Sequence, residues 1–235
     1  MTAQLAGAPV APLSMTIGDE VIDIRCSTVR DGDFHIEGPR AALLHRRQAF
    51  VPGEWTQLDE VHGVAVLTVT IPGQHDFATG DAAVTRARGV VLGVWVGDCA
   101  PVVLVGADGT IAVAHAGWRG ALDGVLAAVM GEMGDGAHPL RAYLGPCIHA
   151  CCYEFGVDEL AVFEHRFGAA VRATTSWGTP ALDMPAVVRS ALHELGAEMH
   201  EVSLCTGCRA DLYFSHRRRA QSGRQVMTVS KRAAR

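Results

Sequence analysis

The 235-residue chain has no apolar run of the roughly 18 residues that a membrane-spanning helix requires. Its start, MTAQLAGAPVAPLSM, contains no basic segment followed by a long apolar stretch, so the sequence predicts no secretory signal peptide. The net charge is only −5, which argues against a general nucleic-acid-binding protein, although the C-terminal segment is basic. We therefore expect a cytoplasmic protein that binds neither membranes nor nucleic acid.

The seven cysteines are an odd number, and no export signal accompanies them. We expect reduced thiols, because disulfides persist mainly in oxidising compartments, and reduced thiols are available as metal ligands. Hydrophobic residues make up 49% of the chain, which is enough for one sizeable core. We interpret residues 15–235 as a single domain and residues 1–14, which Pro9 and Pro12 interrupt, as a flexible extension.

Alternating or β-branched segments predict the strands. One hairpin is expected where EVIDIRCSTVRDGDFHIEG breaks at Asp31-Gly32, and another where two apolar segments flank Asp108-Gly109. Further strands are predicted at 63–72, 89–96, 140–145 and 201–207.

Apolar residues spaced three and four apart predict one continuous helix from Trp118 to Met133, ended by Gly134. Similar patterns predict helices at 157–167 and 184–195; the second has Pro185 in its first turn and Gly196 just past its end. These elements indicate a mixed α/β (α+β) domain with at least one antiparallel pair.

Three residues of types that bind zinc lie at the ends of predicted strands: His62 in LDEVHG, Cys99 in VWVGDCAP and His115 in IAVAHAGWRG. Centring the hairpin turn between Asp108 and Gly109 pairs His115 with residue 102, which places Cys99 at the same end of the hairpin. Two imidazoles and a thiolate suit zinc with a fourth position left open, as in catalytic sites. The alternative is a small buried thiol and two histidines with structural roles.

The predicted helix after this trio begins with GWRG, 117–120. Backbone N–H groups at Gly117 and the positive end of the helix dipole favour an anion, and the guanidinium of Arg119 suits phosphate. Arg217 and Arg218 of FSHRRRAQSGR are further candidates for phosphate binding. The alternative makes the arginines surface residues and Trp118 a core residue.

Two further segments are rich in cysteine. LGPCIHACCYEFG holds Cys147, Cys151 and Cys152, and CTGC holds Cys205 and Cys208. Together they could form a four-thiolate zinc site, but such a site usually combines two short-spaced pairs, and only CTGC is one. We therefore expect buried thiols here, and we expect Cys205 and Cys208 to be dispensable for activity.

The motifs EVHG, GDAAVT, GDCAPVVLV, AHAGWRG, LGPC…CCYEFG and FSHRRRAQSGRQ resemble those of the laccase-domain, or multicopper polyphenol oxidase-like, family of YfiH-type purine nucleoside phosphorylases. The resemblance runs from Asp59 to Gln225 and implies a layered domain with mixed β-sheets flanked by helices. It also implies that His62, Cys99 and His115 are zinc ligands, with copper as the alternative metal. The chain departs from the family pattern at Glu60, Gly97, His216 and Arg219.

The resemblance implies phosphorolysis of adenosine, inosine and methylthioadenosine, with adenosine deamination as a further activity. We expect Gly117, Arg119, Arg217 and Arg218 to hold phosphate beside the catalytic Cys99 and His115. Asp98 is the candidate proton shuttle nearest in sequence, and its alternative role is to hold the turn.

Three other functions remain open on sequence grounds. A cysteine hydrolase would use Cys99 as nucleophile and His115 as base, which excludes both residues as metal ligands. A copper-dependent polyphenol oxidase would need a copper cluster, but the eleven histidines include no H-x-H pair. A binding protein, such as a peptidoglycan editing factor, would bind its ligand without turnover. The preferred nucleoside and the oligomeric state do not follow from the sequence.

Overall fold

The computed structural model describes residues 10–138, 140–201 and 204–234. The strands in chain order are β1 Leu13–Ile17, β2 Glu20–Cys26, β3 Glu54–Gln57, β4 Val66–Val69, β5 Ala82–Thr85, β6 Val90–Val96, β7 Ala100–Gly106, β8 Ile111–Ala116, β9 Leu140–Leu144, β10 Arg172–Thr174, β11 Pro180–Leu182, β12 Ala197–Glu201 and β13 Gln225–Ala233. The α-helices are α1 Arg40–Phe50, α2 Trp118–Asp123, α3 Val125–Met133, α4 Val157–Phe167, α5 Met184–Glu194 and α6 His216–Arg219. Among these described helices, none has the length and apolar character needed to cross a bilayer.

The strands form two large mixed sheets and one small sheet of β10 and β11. The five-stranded sheet has the order β1-β2-β13-β6-β3, and only its β3–β6 pair is parallel. The six-stranded sheet has the order β12-β9-β7-β8-β5-β4, with parallel pairs at both edges and antiparallel pairs between them. The predicted mixed α/β fold, with mixed sheets flanked by helices, is confirmed.

The six-stranded sheet is the middle of three layers. On one face, Val103 and Val105 of β7 pack with Leu92 of the five-stranded sheet. On the other face, Val102 and Leu104 pack with residues of α2 to α5. Because both faces are buried, β7 and the first four residues of β8 are continuous apolar runs instead of alternating ones.

The predicted hairpin of β7 and β8 is confirmed, with a register shifted by one residue. His115 pairs with Pro101 instead of residue 102. The turn is a three-residue loop, 107–109, in which Gly109 has a φ of +81° and the Gly106 N–H donates to the Thr110 carbonyl at 2.8 Å. A three-residue loop moves the centre of the turn onto its middle residue, which changes every pair by one.

The predicted hairpin at Asp31-Gly32 is wrong. The chain turns earlier, at residues 18–19 between β1 and β2. The Thr28 N–H and hydroxyl both donate to the Asp31 carboxylate, at 2.7 and 2.9 Å, and cap a short 3₁₀ turn, Val29–Asp31. An Asp-Gly pair indicates a turn, but these local side-chain hydrogen bonds determine its type.

The single helix predicted from Trp118 to Met133 is two helices. Gly124, with φ +94° and ψ 35°, ends α2 and precedes α3, and its N–H donates to the Gly120 carbonyl. The predicted end at Gly134 is confirmed, because its N–H closes the last turn on the Met130 carbonyl at 3.0 Å. A left-handed glycine therefore divides an apolar pattern that is periodic along its whole length.

The remaining predictions differ mainly at the ends of elements. The helices predicted at 157–167 and 184–195 are α4 and α5; the Asp183 side chain caps α5 by accepting from the Ala186 N–H at 3.0 Å. The last predicted strand, 201–207, includes two residues outside the described ranges, and β12 ends at Glu201. Most of the predicted N-terminal extension also lies outside them, and β1 begins within it, at Leu13.

Two glycine substitutions should change stability in opposite directions. Gly124→Ala should lower the free energy of unfolding by about 1–2 kcal/mol, because a residue with a Cβ is strained in the left-handed region. The added Cβ itself has room, since the nearest atom lies 4.0 Å away. Gly131→Ala, inside α3 with no atom within 4 Å of the new Cβ, should raise the free energy of unfolding by about 0.5–1 kcal/mol. Urea denaturation of both variants measures the difference, and changes of the same sign would contradict this account.

Candidate functional site

The three predicted metal ligands, His62, Cys99 and His115, lie together. Their candidate ligand atoms are all within 4.8 Å of one another. Cys99 Sγ lies 3.8 Å from His62 Nε2, and the two imidazole rings meet edge to face with centroids 4.8 Å apart. These residues, called the trio below, form a site that could hold a metal ion.

The central hairpin positions two members of the trio. Cys99 directly precedes β7, and His115 is the penultimate residue of β8. Because Ala100 pairs with Ala116, Cys99 is closer to His115 than the predicted register would place it. His115 is 2% exposed and Cys99 is partly exposed, so the hairpin presents both side chains at the edge of the core.

A buried carboxylate that the sequence analysis did not assign, Asp81, holds both histidines. Its Oδ1 lies 2.9 Å from His115 Nδ1 and accepts the His62 N–H at 2.8 Å, and its Oδ2 accepts the Gly63 N–H at 2.8 Å. Burial would raise the pKa of Asp81, but hydrogen bonds from His115 and Gly63 outweigh it and lower the pKa. The contact at Nδ1 leaves His115 Nε2 as the nitrogen available to a metal. The available signal was a carboxylate directly before a short buried strand, in GDAAVT.

Glu60 is a second residue whose functional position the sequence did not indicate. Its carboxylate accepts the Trp95 N–H at 2.8 Å and lies 3.5 Å from His115 Nδ1. Burial raises the pKa of Glu60 to about 8, although the charge of His115 opposes this. Burial would also raise the pKa of Cys99, but His115 and His62 outweigh it and lower that pKa to about 6. The two histidines therefore favour the thiolate form of Cys99, which is the form that binds metals.

A cavity of about 320 Å³ opens beside the trio. That volume is within the range of small-molecule sites. Aromatic rings form much of its wall, and cationic side chains lie at its edge. The rings belong to Trp95, Trp118 and Tyr153, and the cationic side chains to Arg217 and Arg224; the imidazole of His216 also lines the cavity. The cavity therefore combines candidate metal ligands, flat apolar surfaces and positive charge.

The structure separates the residues predicted to hold phosphate. Arg217 lines the cavity, with its guanidinium 4.9 Å from the centre of the Tyr153 ring. Arg119 and Arg218 are not among the described residues that line it. Both are exposed, and each guanidinium lies 4.5 Å from an indole ring, of Trp118 for Arg119 and of Trp177 for Arg218.

Gly117 is also absent from the described residues that line the cavity, and its position explains why a glycine is needed there. A Cβ at Gly117 would lie 2.6 Å from His62 Cδ2 and 3.5 Å from Cys99 Sγ. The missing side chain therefore makes room for the trio. The helix that follows, α2, has only six residues, so it is a shorter dipole than the predicted helix from Trp118 to Met133.

Asp98 is a buried hydrogen-bond acceptor that also borders the cavity. Its Oδ1 accepts from the hydroxyls of Thr206 and Ser215 at 2.6 and 2.8 Å, and its Oδ2 accepts the Arg217 N–H at 2.6 Å. Burial raises the pKa of Asp98, although these hydrogen bonds oppose the shift. Asp98 therefore ties the β6–β7 turn to the segment that begins α6, which supports the structural alternative; its role as a proton shuttle stays a prediction.

Two buried carboxylates allow a matched test of the trio. Asp81→Asn should weaken metal binding about 10- to 100-fold, because the charge that orients His115 is lost while the side-chain shape is kept. Asp98→Asn is the control and should leave metal affinity unchanged. Competition with a chromogenic chelator measures both variants. An equal loss of metal affinity in the two variants would exclude a specific role for Asp81.

Comparison with known proteins agrees with these features. A family model described as multi-copper polyphenol oxidoreductase laccase matches residues 26–232. A protein of Xylella fastidiosa (strain Temecula1) named purine nucleoside phosphorylase is 36% identical over 230 residues, covering 93% of this chain and 85% of that protein. A protein from an unknown prokaryotic organism, named adenosine deaminase RL5, is 36% identical over 148 residues, 59% of this chain and 56% of that protein.

A solved structure supports the fold. The crystal structure of Neisseria meningitidis protein NMB0706 aligns with a TM-score of 0.78 at 24% identity, covering 93% of this chain and 98% of that one. The family model and the Xylella relative each extend over most of the chain, and the relatives carry enzyme names. The chain therefore belongs to the enzyme family described as multi-copper polyphenol oxidoreductase laccase.

Proposed function

We propose that this protein is a zinc-dependent purine nucleoside phosphorylase. Its substrates would be adenosine, inosine and methylthioadenosine, with adenosine deamination as a second activity. The observation that carries the proposal is the cavity, in which the trio, aromatic rings and Arg217 face one small volume. The names of the relatives from Xylella and from the unknown prokaryote support the same two reactions.

The donor set of the trio fits zinc. Zinc bonds of about 2.3 Å to sulfur and 2.1 Å to nitrogen, at a tetrahedral angle, separate the two ligand atoms by about 3.6 Å. The observed distance from Cys99 Sγ to His62 Nε2 is 3.8 Å. Three protein ligands leave the fourth position to the cavity, and zinc bound there would act as a Lewis acid on a substrate or water oxygen.

The aromatic walls suit the purine. The Trp118 ring is partly exposed, the Tyr153 ring is nearly buried, and both border the cavity. Phe155 meets each of them edge to face, with its ring centroid 5.7 Å from that of Trp118 and 5.3 Å from that of Tyr153. Because these contacts hold the rings in place, they offer fixed flat surfaces for base stacking. Stacking recognises any purine, which agrees with a substrate range that includes adenosine and inosine.

Arg217 is the arginine best placed to bind phosphate in this cavity. The described residues take up only one of its side-chain N–H groups, which donates to the Glu154 carbonyl at 3.1 Å. Arg224 also borders the cavity, but its engaged nitrogen donates to three carbonyls, those of residues 221–223, so this side chain is tied to the backbone by more hydrogen bonds than Arg217 is. Arg217 can therefore present a free guanidinium edge to phosphate, and Asp98 fixes its backbone. Arg218 adds charge nearby. The phosphate roles predicted for Gly117 and Arg119 are untested, and we favour Arg217 because Arg119 is not among the described residues that line the cavity.

A cysteine hydrolase is the second candidate, because one observation favours it. Asp81 contacts His115, and His115 contacts Cys99, so the three residues are connected in space as the orienting acid, base and nucleophile of a catalytic triad are. That reading leaves His62 without a function, although its Nε2 approaches the thiol to 3.8 Å. Metal content separates the two candidates, since a metal-bound Cys99 is not a free nucleophile.

Two further alternatives have less support. A polyphenol oxidase of the multicopper type needs several coppers, and among the described residues only the trio and a group of four cysteines could hold a metal. Of these two groups, only the trio contains histidine. A peptidoglycan editing or other binding protein would not require the deprotonated thiol and oriented imidazole of the trio. We also propose a cytoplasmic location, because reducing conditions keep Cys99 available as a ligand.

Incubating the purified protein with adenosine, with and without phosphate, tests the proposed activity. Adenine and ribose 1-phosphate should appear only with phosphate, while inosine and ammonia should appear in both incubations. Cys99→Ser should lose the trio's metal and both activities, because serine is a poor zinc ligand. Cys26→Ser, a thiol of β2 that belongs to neither group of candidate metal ligands, is the matched control and should keep them. If the metal-loaded wild-type protein turned over none of the purine nucleosides, the proposal would be refuted.

The two candidate phosphate residues can be compared directly. Arg217→Ala should raise the phosphate KM about 10- to 100-fold, since a hydrogen bond to a charged group contributes about 1.5–3 kcal/mol. Deamination needs no phosphate and should change much less in the same variant. Arg119→Ala should leave the phosphate KM near the wild-type value, because its guanidinium lies over Trp118 and outside the cavity lining. Steady-state kinetics measures both constants. A raised phosphate KM in Arg119→Ala and an unchanged one in Arg217→Ala would indicate that Arg119 binds the phosphate.

A further inference from the structure

A group of four cysteines, called the thiol cluster below, lies apart from the trio. Its members come from two segments: Cys151 and Cys152 from one, and Cys205 and Cys208 from the other. All four sulfur atoms are within 4.8 Å of one another. The sequence contains no second pair with the spacing of CTGC. The structure supplies the partner as two adjacent cysteines.

Four of the six distances between these sulfurs are close to those of a tetrahedral zinc site. Cys208 Sγ lies 3.4 Å from both Cys151 Sγ and Cys152 Sγ, and Cys151 Sγ lies 3.5 Å from Cys205 Sγ and 3.9 Å from Cys152 Sγ. The other two distances do not exceed 4.8 Å. Four sulfurs at about 2.3 Å from a central zinc would be about 3.8 Å apart. The observed distances lie on both sides of that value.

The same geometry does not suit a pair of disulfides. None of the seven cysteines, all of which lie in described ranges, forms a disulfide. Cys208 is equally distant from two thiols, so no unique pairing exists. A disulfide would bring one pair to about 2.0 Å and leave the other two thiols without the contacts that now surround them.

The backbone around the thiol cluster is arranged to bring the two segments together. The Cys208 N–H donates to the Cys205 carbonyl at 3.2 Å, which closes the CTGC turn. The His149 N–H donates to Cys205 Sγ at 3.5 Å, so the first segment also contacts a sulfur of the second. A Cβ at Gly207 would lie 2.7 Å from Cys152 Cβ, so only glycine permits this approach.

Arg219 stabilises the CTGC turn from the other side. Its guanidinium donates to the carbonyls of Thr206 at 3.0 Å and Gly207 at 2.9 Å. The Thr206 N–H in turn donates to the Cys147 carbonyl at 2.9 Å. The turn is therefore fixed by contacts that do not use the thiols of the cluster.

We propose that the thiol cluster binds one zinc ion through Cys151, Cys152, Cys205 and Cys208. A site closed by four thiolates has no open position for substrate, so its role is structural. Cys208 is exposed, which gives the ion a path to the buried sulfurs. This site is independent of the trio and of the reaction proposed above.

The consequence concerns the cavity. One linked segment contributes Tyr153 to its wall, directly after Cys152, and the other leads to Arg217 at its edge. An ion in the thiol cluster would fix these two segments to each other, whereas the trio joins different parts of the chain. We therefore no longer expect Cys205 and Cys208 to be dispensable for activity. Their loss should loosen the part of the cavity wall that Tyr153 and Arg217 form.

Metal analysis of matched variants tests the proposal. Wild type and the control Cys26→Ser should each hold two zinc ions per chain after purification with zinc. Cys208→Ser should hold one, and Cys99→Ser should hold one at the thiol cluster. Two ions per chain in Cys208→Ser would overturn the proposal, as would a loss of two hydrogens in the intact mass of wild type, which indicates a disulfide. Loss of zinc from Cys99→Ser alone, with none from Cys208→Ser, would also overturn it.

Cobalt spectroscopy keeps the test valid if Cys208→Ser fails to fold. Cys99→Ser protein, freed of metal with a chelator, is titrated with cobalt(II). The sulfur-to-cobalt charge-transfer band should have the intensity of four thiolates, with the visible bands of a tetrahedral ion. A band of one or no thiolate would overturn the proposal, and so would iron with inorganic sulfide in the purified protein. Because the trio is disabled in this variant, the result does not depend on the proposed phosphorylase activity.

Discussion

The carboxylate of Asp81 and its hydrogen bonds are the contact on which the rest of the site depends. Asp81 is fully buried, and a buried charge is costly unless it is paired and hydrogen-bonded. Its side chain contacts His115 and the backbone of residues 62–63, and its own carbonyl accepts the His115 N–H at 2.7 Å. The loop that carries His62 is therefore held to the edge of the sheet by the same residue that orients His115. His62 adopts a left-handed φ of +62° within this arrangement.

The sequence predicted the parts of this site that depend on local patterns. Strand ends next to Cys99 and His115 could be located from apolar runs and turn residues. His62 was also expected at a strand end but lies on the loop between β3 and β4, and the trio does converge. The position of Asp81 could not be found in this way, because its partners are 18 to 34 residues away in the chain. Arg119 was predicted to face a ligand from a long helix. Gly124 shortens that helix, and the guanidinium lies over the Trp118 ring, while its phosphate role stays a prediction.

The thiol cluster illustrates a second limit of local patterns. Spacing in sequence indicated one pair, in CTGC, whereas the fold adds two adjacent cysteines from a segment more than fifty residues earlier. The two metal-ligand groups join different parts of the molecule. The trio connects the central hairpin to the loop before β4, and the thiol cluster connects the segments that carry Tyr153 and Arg217. The trio itself lines the cavity, whereas the thiol cluster joins the two segments that contribute Tyr153 and Arg217 to the lining.

The burial of β7 and β8 on both faces has a consequence for how the site opens. Strands in the centre of a core exchange their amide hydrogens only through global or near-global unfolding, whereas exposed loops open locally. Cys99 and His115 are attached to such strands, while His62 is an exposed residue on a loop. Two ligands therefore belong to the slowest-exchanging part of the molecule and one to a part that can open alone. Metal entry and release at the trio should follow the local opening of the His62 loop, at a cost well below that of unfolding the domain.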